Sequence, residues 1–199
     1  PNLFFPTPVW TSEVENYKKI NEEIYQYIKS NQSIDEKGIS KSNVKGWHSN
    51  DFNLHDKVPQ DFIKIISPKI EEVIKDMNWD NDKQLIKINN MWSIINIGGS
   101  TNLRHQHGNS TISGAYYVRA PKNCGDIVFY DPRPAPVYSY PNSNEPNYLN
   151  AQVNSITPNE GGLVLFPSYL DHSVNANLSE KERIVISFNI TIQIKNSQN

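Results

Sequence analysis

The sequence predicts a mainly β protein, a sandwich or barrel of short strands preceded by two helices. Two amphipathic patterns with helical spacing lie within residues 12–76. After residue 78 the pattern changes to short apolar or alternating runs, which are separated by Gly, Pro and Asn. Many short strands without intervening helices are typical of sandwiches and barrels.

The first third of the chain predicts two helices with a loop between them. A helix is expected over residues 12–29. Ser12 and Glu15 have the spacing of a capping box, and apolar residues recur every three or four residues. The polar residues 30–53 are predicted to be loop. A second helix is expected over residues 59–76, since a proline opens it, and Pro68 inside it predicts a kink or a restart.

Six later stretches are predicted strands because of their length and their β-branched content. They are residues 85–88, 91–97, 111–119, 126–130, 163–166 and 183–194. Residues 132–159 contain six prolines and several asparagines, which predicts a long loop over the mouth of the barrel. We expect one domain over residues 1–199, with helical support in residues 1–80 and the β core in residues 81–195.

Charge and composition exclude several classes of protein. The formal net charge is −2 and no Lys/Arg block is present, so nucleic acid is not an expected partner. The single Cys124 excludes an internal disulfide and favours a reducing compartment. The longest apolar runs are too short for a membrane span, and residues 1–10 lack the features of a signal peptide. A cytoplasmic location is therefore expected.

Three of the five histidines are candidates for a common metal ion. His105 and His107 are two residues apart, so both imidazoles project from the same face if the segment is extended. His172 follows 65 residues after His107, just past a predicted strand, and distant strand ends can meet at one rim of an antiparallel barrel. Three neutral imidazoles would form a facial site with open positions, as oxygen-activating iron requires. His48 and His55 are expected to be structural or surface residues.

Arg183 is the fourth feature of this pattern. It stands eleven residues after His172, at the head of the apolar strand predicted over residues 183–194. Burying a guanidinium is costly unless an anion meets it. A carboxylate that accepts two parallel hydrogen bonds is its natural partner.

These segments together resemble the 2-oxoglutarate and Fe(II)-dependent dioxygenases. The resemblance covers about residues 91–190 and is closest to prolyl-hydroxylase-like oxygenases found in marine bacteria and phages, which also share short matches at residues 5–8, 46–49 and 187–189. It rests on the following residues: His105-Gln106-His107, the runs 113–118 and 162–167, His172 and Arg183. The resemblance implies a double-stranded β-helix, a jelly roll or cupin-like barrel.

The resemblance also implies roles for individual residues. His105 and His172 correspond to iron ligands, and Arg183 corresponds to the salt-bridge partner of the distal carboxylate of 2-oxoglutarate. Tyr117 stands where related prolyl hydroxylases place a tyrosine that hydrogen-bonds the same carboxylate. The implied reaction oxidises a primary substrate and releases succinate and carbon dioxide, with ascorbate as a candidate accessory reductant.

Two further assignments stay open. Ser187 would point to the same face as the arginine if the strand is regular, and it is either a co-substrate ligand or an ordinary small residue. Asn96, on the strand before the histidine pair, is another co-substrate candidate. His107 replaces the Asp or Glu of most members, which raises the net charge at iron by one. Either His107 is the third ligand, or Asp131 or Asp171 supplies a carboxylate beside it.

The substrate is the least determined feature. The nearest relatives suggest a prolyl or other amino-acid side chain, on a small molecule or a peptide, and a homodimer is one candidate for the oligomeric state. Four aromatic residues are expected either to fill the core or to line the substrate pocket: Trp92, Tyr116, Phe129 and Phe166. The alternatives are a cupin-type dioxygenase with three histidine ligands that needs no 2-oxoglutarate, a non-catalytic jelly-roll binding module and a zinc hydrolase.

Overall fold

The computed structural model describes residues 2–80, 82–133 and 141–195. Within them, eleven strands and two helices follow one another along the chain. The helices are α1 (Tyr17–Ile34) and α2 (Lys57–Asp76). The strands are β1 (Trp10–Glu13), β2 (Asn43–Val44), β3 (Trp47–His48), β4 (Gln84–Asn96), β5 (Thr101–His105), β6 (Ile112–Arg119), β7 (Ile127–Tyr130), β8 (Val153–Ile156), β9 (Gly162–Pro167), β10 (His172–Val174) and β11 (Arg183–Ile194).

The strands form two antiparallel sheets. One has six strands in the order β1-β9-β6-β11-β4-β3, and the other has five in the order β2-β5-β10-β7-β8. Most neighbours within a sheet are far apart in the chain, as in a double-stranded β-helix. The predicted fold class, mainly β with N-terminal helices, is therefore confirmed. None of the helices in the described segments has the length and apolar character needed to cross a membrane.

The six-stranded sheet separates two interiors, because side chains alternate between its faces. On β11 the residues that face the helices are Ile184, Ile186, Phe188 and Ile190. Phe62 of α2 packs on Tyr116 and Phe188 at ring-centroid distances of 4.9 and 6.1 Å, so the helices cover this face of the sheet.

The opposite face of the six-stranded sheet meets the five-stranded sheet. A smaller apolar cluster lies between the two sheets, and its members are Ala115, Tyr117, Ile127, Phe129, Val164, Phe166, Leu170 and Val185. Beside this cluster the sheets enclose a cavity of about 700 Å³. On β11 the residues that line the cavity are Arg183, Val185, Ser187 and Asn189. The alternation along β11 thus directs half of these side chains into the core and the other half into the cavity.

The start of α1 differs from the prediction. Ser12 does not cap the helix, because it belongs to β1 and pairs with Leu163 of β9. The helix begins five residues later, after Asn16, which has φ 55° and makes no side-chain cap bond. The backbone groups of residues 10–13 are used in the pairing with β9 instead. In α2 the proline lies in the first turn, as predicted, and the helix continues through Pro68 without a restart.

Several predicted loops contain strand. The loop predicted over residues 30–53 is wrong in part, because it includes the end of α1 and the strands β2 and β3. Strands of two residues are too short to show an alternating pattern. The strand β5, which leads into the histidine pair, is not among the six predicted strands.

Two further segments also differ from the prediction. The strands predicted over residues 85–88 and 91–97 form one long strand, β4. In the proline-rich segment, β8 pairs with β7 at the edge of the five-stranded sheet. Three of its four residues are exposed, and for this reason it lacks an apolar signal. Residues 134–140 of the predicted loop over the barrel mouth lie outside the described residues.

Candidate metal centre

Three histidines converge at one rim of the two sheets. His105 ends β5, His172 begins β10, and the two residues are direct partners across these antiparallel strands. His107 lies in the turn after β5, where its backbone N–H donates to the carbonyl of Ser168 at 3.0 Å. One ligand atom of each histidine lies within 4.8 Å of the others. Imidazole nitrogens bind divalent metals at about 2.1 Å, so small ring rotations close this group around one ion.

Hydrogen bonds set the tautomers of two of these imidazoles. His105 Nδ1 lies 2.7 Å from the carbonyl oxygen of Leu103, and His172 Nδ1 lies 3.0 Å from that of Leu170. A carbonyl oxygen can only accept, so Nδ1 carries the proton in both rings. Nε2 is therefore unprotonated and available to a metal, which is the orientation that partners of metal-binding histidines usually impose.

Electrostatics keep the cluster neutral. Burial, followed in smaller measure by the neighbouring His172 and His105 imidazoles, lowers the pKa of His107 to about 3. Burial, followed by the His105 imidazole, lowers the pKa of His172 to about 4. Burial also lowers the pKa of His105. All three rings are therefore in the neutral form at neutral pH, the form that binds a cation.

Neither alternative carboxylate belongs to this group. Asp171 is salt-bridged to Arg104, with Oδ2 2.6 Å from Nη2. Asp131 is salt-bridged to Arg133, with 2.8 Å between Oδ2 and Nη2. Among the described residues, the metal-competent cluster consists of histidines alone.

Arg183 lines the same cavity and is almost fully buried. Its Nη1 donates to the carbonyl oxygens of Cys124 and Gly125 at 2.7 and 3.0 Å. Its Nε is buried and has no hydrogen-bond partner within the described part of the chain, and no carboxylate there pairs with it. A buried cation with an unused donor fits an anionic ligand, and the role of Arg183 toward 2-oxoglutarate stays a prediction.

Tyr117 also lines the cavity, from the neighbouring strand β6. Its register partner on β11 is Val185, two residues from Arg183. Burial raises the pKa of Tyr117, and the nearby Arg183 guanidinium lowers it in smaller measure. The phenol therefore keeps its proton and can donate a hydrogen bond at neutral pH.

The two other co-substrate candidates lie in the same cavity. Ser187 and Arg183 both line it, as expected for residues four apart on one strand. Asn96 is paired with Arg183 across β4 and β11. Its Nδ2 lies 3.4 Å from Asn102 Oδ1, whereas its own Oδ1 is buried without a hydrogen-bond partner among the described residues. Both residues thus lie in the same cavity as the arginine, and their contact with a co-substrate stays a prediction.

The four aromatic residues divide between cavity and core. Trp92 and Phe166 line the cavity, with ring centroids 5.7 Å from His107 and 4.7 Å from His172 respectively. Tyr116 belongs to the helix-side core, where its hydroxyl donates to Asn21 Oδ1 at 2.6 Å. Phe129 packs on Phe166 at 5.0 Å in the core between the sheets.

Sequence reasoning underestimated one cavity residue. His48 was expected to be structural or on the surface, but it lines the cavity and stacks on Trp92 with 5.8 Å between ring centroids and 7° between ring planes. Its only signal in the sequence is the short cluster of residues 46–49. His55 is exposed, as expected.

The fold is shared with solved 2-oxoglutarate-dependent oxygenases. A prolyl-4-hydroxylase from Pseudomonas putida matches with a TM-score of 0.66 and 8% identity, over 93% of this chain and 92% of that one. The viral collagen prolyl hydroxylase of Paramecium bursaria Chlorella virus-1, solved with 2-oxoglutarate, matches with a TM-score of 0.59 and 15% identity, over 92% and 94%. HygX from Streptomyces hygroscopicus, solved with nickel, 2-oxoglutarate and hygromycin B, gives 0.63 and 9%, over 93% and 83%.

The sequence itself identifies the family. A family model described as "Putative 2OG-Fe(II) oxygenase" matches residues 90–189, half of the chain, and the chain belongs to this family of 2-oxoglutarate and Fe(II)-dependent oxygenases. No curated protein sequence matches it. The matched residues contain the histidine cluster and Arg183, so the family assignment covers the whole candidate site.

Proposed function

We propose that this oxygenase hydroxylates a prolyl or other amino-acid side chain, with conversion of 2-oxoglutarate and oxygen into succinate and carbon dioxide. The observation that carries the proposal is the presence of two complementary sites in one cavity. A neutral three-histidine cluster lies beside a buried guanidinium that has no carboxylate partner within the described residues. The first suits a divalent cation and the second suits a dicarboxylate.

The metal-binding part of the proposal assigns Fe(II) to His105, His107 and His172. The fit rests on the tautomers, because Nε2 of His105 and of His172 is unprotonated, and on burial, which keeps all three rings neutral. A three-nitrogen facial set leaves coordination positions for the co-substrate and for oxygen, whose activation is the chemistry that iron supplies. His107 then takes the place that a carboxylate holds in most members of the family.

The co-substrate part assigns the distal carboxylate of 2-oxoglutarate to Arg183 and Tyr117. The guanidinium retains its unused Nε donor and the phenol retains its proton, so both can donate to one carboxylate. Ser187 and Asn96 line the same part of the cavity and add a hydroxyl and an amide. Charge-assisted hydrogen bonds of this kind are strong where water is excluded.

The substrate part rests on the size of the cavity and on the fold. A volume of about 700 Å³ exceeds the need of a five-carbon diacid and leaves room for a second molecule. Exposed polar residues, among them Lys41, Asn50 and Asp51, line the same cavity and give it an opening to solvent. Prolyl hydroxylases among the fold neighbours make an amino-acid side chain the first class of substrate to test.

Two measurements test the proposal. Anaerobic titration with Fe(II) or Mn(II) should show one tight site per chain, and succinate should form from 2-oxoglutarate with Fe(II) and ascorbate. A panel of free amino acids and blocked peptides should then reveal the compounds that stimulate this turnover. His55→Ala should behave like the wild type in both measurements and serves as the control, since His55 is exposed and outside the cavity. Absence of metal binding in the wild type would remove the proposal.

A further inference from the structure

His48 is a buried histidine to which the proposed metal and co-substrate sites assign no role. It lines the cavity from β3, the edge strand of the six-stranded sheet. Asn50 and Asp51, which follow it closely in the chain, are exposed and line the same cavity. His48 therefore lies on the side of the cavity that opens to solvent, where a second molecule would enter.

The backbone of His48 is held firmly on both of its sides. The residue pairs with Ile94 of β4, and its carbonyl accepts a hydrogen bond from Ile39 N–H at 2.9 Å. A Cβ on Gly38 would lie 2.4 Å from the same carbonyl oxygen, so only glycine allows this close approach. The next residue, Ser49, exchanges two hydrogen bonds with Ser93 of β4, one through its N–H and one through its Oγ.

The imidazole ring is held as well, and this fixes its chemistry. Nδ1 lies 2.7 Å from the carbonyl oxygen of Ser49, which can only accept, so Nδ1 carries the proton and Nε2 is an acceptor. No group within the described residues hydrogen-bonds to Nε2, and Nε2 is not among the fully buried unpaired atoms. An oriented acceptor on a fixed ring thus lines the cavity without a protein partner.

The position of this acceptor relates it to the metal centre. Trp92 contacts both rings, since its ring centroid lies 5.8 Å from that of His48 and 5.7 Å from that of His107. The ring of His48 and the histidine cluster therefore both contact the same indole ring. A group bound at Nε2 therefore occupies the cavity that the three histidines also line.

We propose that His48 is a substrate-binding residue whose Nε2 accepts a hydrogen bond from an amide N–H of the primary substrate and so positions the adjacent side chain at the three-histidine centre. This inference rests on the proposed function. It narrows the substrate to amino-acid derivatives and peptides that carry an amide N–H next to the reacting residue. A pre-organised acceptor of this kind discriminates against analogues that lack the donor.

A matched pair of ligands tests the hydrogen bond directly. N-acetyl-L-proline N-methylamide has one amide N–H, whereas the N,N-dimethylamide has none and is otherwise almost the same. In the Fe(II)-loaded wild type, the KM of the dimethylamide should exceed that of the methylamide by about tenfold. His48→Phe keeps a ring beside Trp92 but removes the acceptor, and it should erase this difference. His48→Gln keeps an acceptor and should retain part of it.

The control and the outcome that would contradict the inference both use the ratio of the KM values of the two amides. His55→Phe makes the same chemical change at an exposed histidine outside the cavity and should leave the tenfold ratio unchanged. A His48→Phe protein that still prefers the methylamide by the same factor overturns the inference. The ratio of the two KM values is measured within each variant. A general loss of stability affects both values and therefore does not produce the expected change in the ratio.

A second readout needs no substrate. Long-range ¹H–¹⁵N spectra of Zn(II)-loaded protein with labelled histidine should show His48 protonated at Nδ1 and unprotonated at Nε2. A proton on Nε2 overturns the inference. If neither proline amide stimulates the wild type, the prolyl part of the proposed function is wrong, and the spectrum still decides whether His48 can accept.

Discussion

At the scale of single residues, the site depends on polar groups that are buried without the usual protein partners. Arg183 illustrates this, because its Nη1 donates to three backbone carbonyl oxygens while its Nε has no partner among the described residues. Unpaired buried donors cost free energy, and natural proteins retain them where a ligand completes the bonding. We therefore expect this arginine to contribute more to ligand affinity than to the stability of the folded chain.

Replacing this arginine tests that statement. Arg183→Met fills the space without charge and should raise the Kd of 2-oxoglutarate at least tenfold, because a charge-assisted bond contributes about 1.5–3 kcal/mol. Calorimetric titration of anaerobic, Mn(II)-loaded protein measures it, with Arg119→Met on the other side of the sheet as the matched control. Unchanged affinity for 2-oxoglutarate in Arg183→Met would show that another group binds the diacid, and would favour a dioxygenase that does not use it.

Whether His107 is the third metal ligand can also be tested at a single residue. His107→Ala should lower the affinity for Mn(II) by at least about tenfold, since two imidazoles remain. His107→Asp restores the carboxylate of most family members and should bind Mn(II) more tightly than His107→Ala. Equal affinity in His107→Ala and the wild type would place His107 outside the coordination sphere.

At the scale of elements, alternation along a strand decides which residues form the core and which form the site. The odd-numbered residues 183, 185, 187 and 189 of β11 line the cavity, and the even-numbered ones pack under the helices. Gly114 of β6 allows this arrangement, because a Cβ there would lie 2.2 Å from Cζ of Phe188. The missing side chain leaves room for the aromatic ring of the neighbouring strand.

A small substitution in β6 should therefore be costly. Gly114→Ala is expected to lower the free energy of unfolding by about 1–3 kcal/mol, because the Phe188 ring must move within a packed core. Urea unfolding of the metal-free protein measures the change. Gly108→Ala is the control, since a Cβ at position 108 meets no atom within 4 Å. Equal unfolding midpoints for the two variants would contradict the packing argument.

Elements also show where local patterns mislead. The capping-box spacing after position 12 is present, yet the segment forms β1, because β9 offers it an edge to pair with. β2, β3 and β10 have two or three residues each, so they carry no periodic signal of their own. β11, a long segment with many alternating apolar residues, was predicted with the limits that the structure shows.

At the scale of the whole molecule, the metal centre connects two strands of the five-stranded sheet with the turn that follows β5. His105 and His172 are paired across β5 and β10, and His107 is held through its backbone bond to Ser168 after β9. Metal-free protein must keep three neutral imidazoles close together and partly out of water. Protonation of this cluster therefore opposes the folded state.

The stability of the metal-free protein should consequently depend on pH. The pKa of His107 is about 3 and that of His172 about 4 in the folded chain, against about 6.5 when unfolded. The unfolded chain binds more protons between these values, so the free energy of unfolding is highest above pH 6.5 and falls as the pH drops towards 4. Each extra proton contributes a slope of about 1.4 kcal/mol per pH unit.

Urea unfolding at several pH values between 7.5 and 4.5 measures this slope. The double variant His107→Asn, His172→Asn removes two of the titrating rings and should show a flatter dependence. His55→Asn should resemble the wild type, because His55 is exposed. A double variant with the slope of the wild type would assign the pH dependence to other groups.

The sequence by itself determined the β class, the two helices, the three histidines and the arginine, because these depend on residue type and on local periodicity. It did not determine that position 172 pairs with position 105, that Arg183 keeps an unused donor, or that His48 and His107 contact the same indole ring. Those facts depend on which distant strands become neighbours. Only the tertiary structure decides them, since pairing between remote segments is selected by the packing of the whole molecule.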